Sequence, residues 1–216
     1  MHKFPLLLVV CIVYSILAVS QTQLLYKDKN FSYMLKLDSM LMADKINYDC
    51  VVKSITIRKL KDNSLVQVIT PDKNSPDCEF PTDQIFIIED INFDGLNDIR
   101  LLQFLPAAPN LPYYYWVYDQ KLQKFKRQKD LEDITSPDFD HEKKLIYSSW
   151  RGSCCDHGLS TYQYIHGKPT LIEENEVRVE NDSVYSTIKQ LSAGKMRLIK
   201  RTVEKDTEED PDPSNK

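Results

Sequence analysis

The sequence predicts an all-β protein of antiparallel hairpins in a propeller-like arrangement, with one calcium-type loop between two strands. Three observations favour this fold class. Short apolar segments follow one another with turn residues between them, and no long window shows a helical period. One of the turns carries oxygen-bearing side chains at every second position. Successive short strands without helices are typical of sandwiches, barrels and propellers.

Residues 1–20 have the features of a signal peptide. Lys3 gives a positive start, residues 6–19 are mostly apolar, and Ala18 and Ser20 provide the small residues of a cleavage site. An uncleaved membrane anchor is the alternative, but the apolar stretch is shorter than the roughly twenty residues that a span needs. We therefore expect a periplasmic or secreted protein with no membrane span after cleavage.

Residues 21–203 are predicted to form a single β domain, which is long enough to bury a substantial core. Residues 204–216 are charged and interrupted by proline, so we expect a disordered acidic tail. The whole chain has a formal net charge of -4, and no basic cluster is larger than residues 124–127. This charge balance argues against nucleic acid as a partner.

Strands are expected from residue 52 onward. Residues 52–60 and 65–69 predict one hairpin, and residues 85–88 and 99–102 predict a second one. The proline-rich residues 106–112 cannot continue a hydrogen-bonded ladder and are expected to form an exposed connection. The remaining predicted strands lie at residues 113–118, 122–127, 144–150, 177–179, 184–188 and 196–203, and residues 162–172 predict a further hairpin.

The turn between the strands of the second hairpin predicts a calcium site, because Ca²⁺ prefers six to eight oxygen ligands. The expected ligands are Asp90, Asn92, Asp94, the carbonyl of Leu96, and Asp98. Gly95 lies where such loops turn sharply. The twelfth position, where an EF-hand has a bidentate glutamate, is Leu101, so this is not an EF-hand. An Asx-rich turn that binds no ion is the alternative.

Four cysteines lie beyond the signal segment, namely Cys50, Cys78, Cys154 and Cys155. An even number in an exported chain predicts disulfide bonds, and four cysteines allow three pairings. Cys50 with Cys78 would leave a vicinal bridge between Cys154 and Cys155. Alternatively, both adjacent cysteines pair with the two distant ones, and the sequence leaves this choice open. A metal site at these thiols and His157 is disfavoured, because tetrahedral sites seldom use adjacent cysteines.

An aromatic strand at residues 113–118 is one candidate surface for a protein partner. Successive side chains of a strand point to opposite faces, so one face is expected in the core. The other face could present Tyr114 and Trp116, since aromatic side chains give large contact area at small entropic cost. Burial of both faces between layers is the alternative.

The turn at residues 150–158 is the second candidate surface. A constrained loop there could present Trp150 together with three polar side chains, Arg151, Asp156 and His157. A purely structural turn is the alternative. The sequence has no catalytic motif such as a nucleophile elbow, a zinc-protease helix or a glycine-rich phosphate loop. We therefore expect a binding protein and not an enzyme.

A resemblance to a known family rests on motifs within residues 52–174. These motifs are residues 54–57, the loop 90–98, residues 115–118, residues 144–149, and residues 162–164 with 167–168. The pattern resembles a family of exported Gram-negative proteins whose best-known member is an immunity protein. That protein inhibits a lysozyme-like toxin delivered by type IV secretion. The resemblance implies a propeller-like fold, a calcium loop and inhibition of a cell-wall hydrolase. An exported hydrolase or carbohydrate-processing enzyme, or a structural protein without a discrete partner, are the alternatives.

Overall fold

The computed structural model describes residues 23–41, 48–72, 82–106, 109–153 and 155–205. Within these ranges, fourteen strands form three antiparallel sheets of four, four and six strands. The signal segment 1–20 lies outside the described residues, as do residues 206–216 of the predicted tail. None of the helices in the described ranges is long and apolar enough to cross a membrane.

The strands follow the chain order, so that each sheet is a meander of hairpins. The first sheet contains β1 (Gln23–Lys27), β2 (Phe31–Leu41), β3 (Tyr48–Lys59) and β4 (Leu65–Ile69). A one-turn helix, α1 (Thr82–Ile85), leads into the second sheet. That sheet contains β5 (Phe86–Glu89), β6 (Asp98–Leu102), β7 (Tyr113–Asp119) and β8 (Lys124–Arg127).

A 3-10 helix (Lys129–Leu131) connects the second sheet to the third. The third sheet contains β9 (Pro137–Asp140), β10 (Leu145–Arg151), β11 (His157–Ile165), β12 (Lys168–Glu180), β13 (Ser183–Ser192) and β14 (Lys195–Lys205). Its spatial order is also the chain order, with β9 at one edge and β14 at the other.

Strand β7 lies between the two hydrophobic clusters of the protein. Its even-numbered aromatics Tyr114, Trp116 and Tyr118 pack with side chains of the first sheet. Its odd-numbered Tyr113 and Tyr115 pack with side chains of the third sheet, including Phe139 and Ile146. Because side chains alternate along a strand, one strand supplies both layers of the core. The second sheet is therefore the middle layer of the fold.

The first two sheets are also joined at their edges by a side-chain amide. The Gln67 Nε2 donates to the Phe125 carbonyl at 3.2 Å, and the Phe125 N–H donates to Gln67 Oε1 at 2.9 Å. Gln67 thus satisfies backbone groups of edge strand β8 that would otherwise need another strand or water. This contact fixes β4 beside β8.

The third sheet has two parts with different burial. Strands β9 to β11 contribute buried residues such as Phe139 and Ile146 to the core. By contrast, no side chain is buried anywhere in residues 161–205, all of which the structure describes. We call β12 to β14 the wing. The strands β13 and β14 have their main contacts with neighbouring strands of their own sheet.

The all-β class and the antiparallel hairpins are confirmed, whereas the three sheets do not close into a propeller ring. The expected strand at residues 85–88 begins one residue later, because Ile85 is the last residue of α1. Strands β1 and β2 precede the first predicted strand. Strand β14 extends to Lys205, so it includes the first two residues of the expected tail.

Candidate functional site

Residues 90–98, which we call the Asp loop, connect β5 to β6. Asp90 accepts hydrogen bonds from the Asp94 N–H at 3.0 Å and from the Gly95 N–H at 2.7 Å. The Asn92 Oδ1 accepts from the same Asp94 N–H at 3.1 Å, and Asp94 Oδ1 accepts from the Leu96 N–H at 2.9 Å. These bonds direct the side-chain oxygens toward the inside of the turn. Gly95 has φ of 86°, a left-handed conformation that favours glycine.

Asp98 is fully buried and closes the Asp loop. Its Oδ2 accepts from the Ile91 N–H at 3.0 Å, and its Oδ1 accepts from the Tyr118 N–H of β7 at 2.7 Å. Burial raises the pKa of Asp98 to about 7, and the nearby charges of Asp94 and Asp90 add to that rise, while the two backbone bonds oppose it. The carboxylate therefore holds the loop to the middle sheet.

The side-chain oxygens of the Asp loop are the kind of ligand that calcium prefers, but the acidic side chains do not form a compact cluster. Within the described residues, no three His, Cys, Asp or Glu side chains are grouped in a way that could hold a metal ion. The amide of Asn92 donates to Asp94 Oδ2 at 3.0 Å, so these two side chains already touch. A carboxylate has about four acceptor sites, so those of Asp90 and Asp98 keep capacity beyond two N–H bonds each.

The Asp loop contacts all three sheets. Asn97 Nδ2 donates to Asp28 Oδ2 at 3.2 Å in the β1–β2 turn, and the Tyr33 hydroxyl donates to the same oxygen at 2.9 Å. On the other side, the Phe93 ring lies between 5.6 and 6.3 Å from the rings of His141, Tyr164 and Phe139. Asp98 provides the link to β7 described above. The loop is therefore the junction of the fold.

The turn from β10 to β11, residues 150–158, is the Trp150 loop. The Asp156 carbonyl accepts from the N–H groups of Gly152 at 2.8 Å and Ser153 at 3.3 Å. The Ser153 hydroxyl oxygen accepts from the N–H groups of Cys155 at 3.2 Å and Asp156 at 3.0 Å. Arg151 Nε also donates to the Ser153 carbonyl at 3.2 Å, and these bonds together give the short turn a defined shape.

A residue outside the hairpin also holds the Trp150 loop. Asn110, in the proline-rich connection, donates to the Arg151 carbonyl at 2.8 Å and accepts from the Arg151 N–H at 2.8 Å. Asn110 therefore pairs with Arg151 as a neighbouring strand would. The sequence prediction of an exposed connection contained no signal for this contact, because it joins residues 41 positions apart.

The Trp150 side chain packs flat against its neighbour in the ladder. Trp150 pairs with Gly158 across β10 and β11. A Cβ on Gly158 would lie 2.5 Å from Trp150 Nε1 and 2.8 Å from the Asn175 carbonyl oxygen, so only glycine fits. The indole, Asn110 and Leu159 line a cavity of about 360 Å³. This cavity is open to solvent, and Leu159 is 58% exposed.

The structure brings together some of the expected contact residues and separates others. Arg151 and His157 are paired across the hairpin and are exposed. Asp156 instead accepts a hydrogen bond from the Val179 N–H at 3.3 Å, so it fastens the loop to the wing. Cys155 is half-buried beside them. The Cys50 side chain and the residues Cys78 and Cys154 lie outside the described part, so the disulfide prediction is untested.

Tyr114 and Trp116 are not available as a contact surface, contrary to one sequence expectation. They are 5% and 4% exposed, and the guanidinium of Arg127 lies over both rings at 4.2 and 5.1 Å. The physical reason is the middle position of the second sheet, which buries both faces of β7. The alternative weighed from the sequence, burial between two layers, describes the structure.

A buried ion pair was missed by the sequence analysis. Arg100 Nε lies 2.5 Å from Glu89 Oε1, and both side chains are at most one-fifth exposed. Arg100 also donates to the Pro137 carbonyl at 3.2 Å and lies over the Tyr113 ring at 4.6 Å. Burial raises the pKa of Glu89, while the charge of Arg100 lowers it. The ion pair lies within the second sheet, between β5 and β6, and the Arg100 bond to Pro137 joins that sheet to the third.

Comparison with known proteins gives a fold and not a family. No family model matches the chain, and no curated protein sequence matches it. The fold is similar to that of a solved structure described as a Xanthomonas type IV secretion system related protein, with a TM-score of 0.62 and 15% identity. The similarity covers 84% of this chain and 94% of that one. The chain therefore has the fold of an all-β protein that is related to type IV secretion.

Proposed function

We propose that this protein is an exported, non-enzymatic protein that binds and inhibits a partner protein through the Trp150 loop. Lysozyme-like cell-wall hydrolases are the first partner class to test. The fold similarity to a type IV secretion system related protein supports this choice, because the sequence also resembles a family of immunity proteins in that setting. The neighbour suggests protein interactions but does not identify the partner.

The observation that carries the proposal is the construction of the Trp150 loop. The loop is held by hydrogen bonds within the turn and by the two bonds from Asn110. A loop that is already ordered loses little conformational entropy on binding, which improves affinity. Arg151 and His157 stand side by side next to the open cavity lined by Trp150. Arginine and aromatic anchors around a pocket are typical of binding hot spots.

Calcium is the proposed cofactor, with a structural role. Asp90, Asn92, Asp94 and Asp98 would supply side-chain oxygens, and Leu96 its carbonyl, as hard cations prefer. The ion would neutralise carboxylates that crowd one turn, among them the buried Asp98. Because the Asp loop joins all three sheets, we infer that calcium stabilises the whole fold and only indirectly the Trp150 loop.

The test is a lysis assay with the mature protein and purified lysozyme-like hydrolases encoded in the same genome. Inhibition should be complete near an equimolar ratio. Arg151→Ala and His157→Ala should each weaken inhibition by about tenfold without lowering the melting temperature. Lys124→Ala, which removes an exposed positive charge from the second sheet, is the matched control and should inhibit normally.

Two results would overturn the proposal. One is a failure to inhibit any of these hydrolases at a large molar excess. The other is turnover of glycan or ester substrates by the protein alone, lost on mutation of a nearby carboxylate. The second result would establish the enzyme alternative instead.

A further inference from the structure

The wing is a single layer of sheet with an open edge. Strand β14 pairs with β13 on one side and is the last strand of the third sheet. Domains normally bury each sheet against a second layer, yet no side chain of the described wing is buried. The outer N–H and C=O groups of an edge strand form a template on which another strand can add.

Strand β14 has a charge opposite to that of the protein. It carries five basic residues and one acidic residue, which are Lys195, Arg197, Lys200, Arg201, Lys205 and Glu204. The strand therefore has a net charge of +4, while the whole chain has -4. Such a local excess attracts a negatively charged partner and repels a positive one.

Two acidic residues of β12, Glu174 and Glu176, already have basic neighbours. Lys189 of β13 lies 2.8 Å from Glu174 and 3.1 Å from Glu176 of β12, and Arg178 lies 3.2 Å from Glu176. These ion pairs join β12 and β13. The carboxylates of Glu174 and Glu176 are thereby matched without β14. The five basic side chains of β14 are exposed, and the guanidinium of Arg201 lies over the Tyr185 ring of β13 at 5.1 Å.

The same strand exposes large apolar side chains. Leu198, Ile199 and Val203 are 56%, 57% and 54% exposed. The ladder skips Ile199, because Lys200 pairs with Ile188 while Leu198 pairs with Lys189. This bulge leaves residues 200–205 as a regular run of edge strand, with Val203 between positive charges. Because side chains alternate along a strand, Arg201, Val203 and Lys205 share one face of this run, and Lys200, Thr202 and Glu204 share the other.

We propose that residues 200–205 of β14 are a docking edge for an extended acidic segment of a protein partner, which adds to the third sheet as a further strand. Backbone pairing would supply affinity, and carboxylates on the segment would meet Arg201 and Lys205 on one face of the sheet or Lys200 on the other. A second copy of this chain is a poor occupant, because two β14 strands would bring +4 against +4. Lysines and a bulge discourage indiscriminate edge pairing, and an acidic strand is the one that they favour.

This proposal does not depend on the proposed inhibition. The Trp150 loop lies at the β10–β11 turn, whereas the docking edge is the far side of the same sheet, three strands from β11. Either site can be lost by mutation while the other remains. Peptide binding and hydrolase inhibition are therefore separate readouts.

The test uses the full mature protein and a fluorescein-labelled seven-residue peptide in which Glu alternates with Val and Thr. Fluorescence anisotropy should show saturable binding that weakens at least tenfold between about 0.05 M and about 0.5 M NaCl. Amide hydrogen exchange of residues 200–205 should slow at least tenfold in the presence of saturating peptide. A peptide with Lys in place of Glu should not bind.

The variant Lys200→Glu/Lys205→Glu should bind the acidic peptide at least tenfold more weakly. The matched control is Lys61→Glu/Lys124→Glu, which reverses two exposed charges away from the wing and should bind within about twofold of the parent. A melting temperature close to that of the parent protein shows that both variants fold.

The proposal is overturned if the acidic peptide fails to bind the parent protein, or if it binds the variant and the parent equally. It is also overturned if bound peptide leaves the exchange of residues 200–205 unchanged. Binding to phosphatidylglycerol vesicles but not to peptide would assign the basic strand to lipid. A dimer of the parent, dissociated by Lys200→Glu/Lys205→Glu, would assign it to self-association.

Discussion

The Asp loop and the wing both belong to antiparallel hairpins, yet they differ in how many contacts they make with the rest of the protein. The Asp loop is short and polar, and hydrogen bonds and ring contacts connect it to all three sheets. The wing is made of three long strands, but it has no buried side chain among its described residues and no second layer. Regular secondary structure therefore does not by itself give a segment tertiary contacts, and we expect the stability of each region to follow those contacts.

A pair of leucine truncations should show the largest contrast between the middle sheet and the wing. Leu101 is fully buried beside the Asp loop, and Leu198 of β14 is 56% exposed. Leu101→Ala should lower the free energy of unfolding by about 4 kcal/mol, because it leaves a cavity in the core. Leu198→Ala should change it by less than about 0.5 kcal/mol. Urea denaturation measures both changes. Equal losses in the free energy of unfolding would contradict the contrast between the middle sheet and the wing.

Removing the carboxylate that closes the Asp loop should have the next largest effect. Asp98→Ala leaves the buried N–H groups of Ile91 and Tyr118 without an acceptor. Each unsatisfied group costs about 1 to 3 kcal/mol, so we expect a loss of about 3 kcal/mol in urea denaturation. Asp98→Asn keeps one carbonyl acceptor and should lose less. Glu204→Ala on exposed β14 is the control, and a comparable loss there would contradict the contrast.

The boundary between the buried and exposed parts of the third sheet can be tested at Gly158. Gly158→Ala would place a Cβ 2.8 Å from the Asn175 carbonyl of β12, so backbone must move. We expect a loss of about 2 kcal/mol in thermal or urea unfolding, as for an overpacked site. Gly152→Ala in the same hairpin has no neighbour closer than 3.5 Å and should be nearly neutral. If Gly158→Ala left the free energy of unfolding unchanged, the backbone of β12 would be able to move away at no cost.

Stabilisation of the Asp loop by calcium should be the smallest of these effects. With a Kd of about 0.1 mM, calcium at about 1 mM would stabilise the fold by about 1.4 kcal/mol. Asp94→Ala should abolish this gain, and Leu198→Ala in the wing should retain it. Differential scanning fluorimetry with calcium or with chelator makes the measurement. A melting temperature that is indifferent to both would refute the calcium site.

Local patterns in the sequence were enough to predict most of the hairpins. The pairs at β3–β4, β5–β6 and β7–β8 follow from alternation and turn residues. The same signal exists for β2, where Phe31, Tyr33 and Leu35 alternate with more polar residues, although no strand was predicted there. Whether the sheets close into a propeller ring could not be predicted in this way, because it depends on the angles between the layers. No local pattern encodes those angles.

The candidate sites divide in the same way. The oxygen-rich turn at residues 90–98 and the turn at residues 150–158 were recognisable because their chemistry is contiguous in sequence. The sequence offered burial of Tyr114 and Trp116 only as an alternative, since that burial depends on a sheet on each side of β7. The support of Asn110 for Arg151 was not predicted, and neither was the salt bridge of Arg100. The Asn110 contact joins residues 41 positions apart, and the Arg100 pair depends on how β5 and β6 align.

The two hydrogen bonds from Asn110 to Arg151 also bear on the order of folding. A hairpin such as β10–β11 can form by itself within microseconds, because its contacts are local. Its turn receives the bonds from Asn110 only after the connection between β6 and β7 has docked, since these residues are 41 positions apart. The Trp150 loop should thus be among the last parts to acquire its final shape. Chains that have not completed folding would then not bind a partner through this loop.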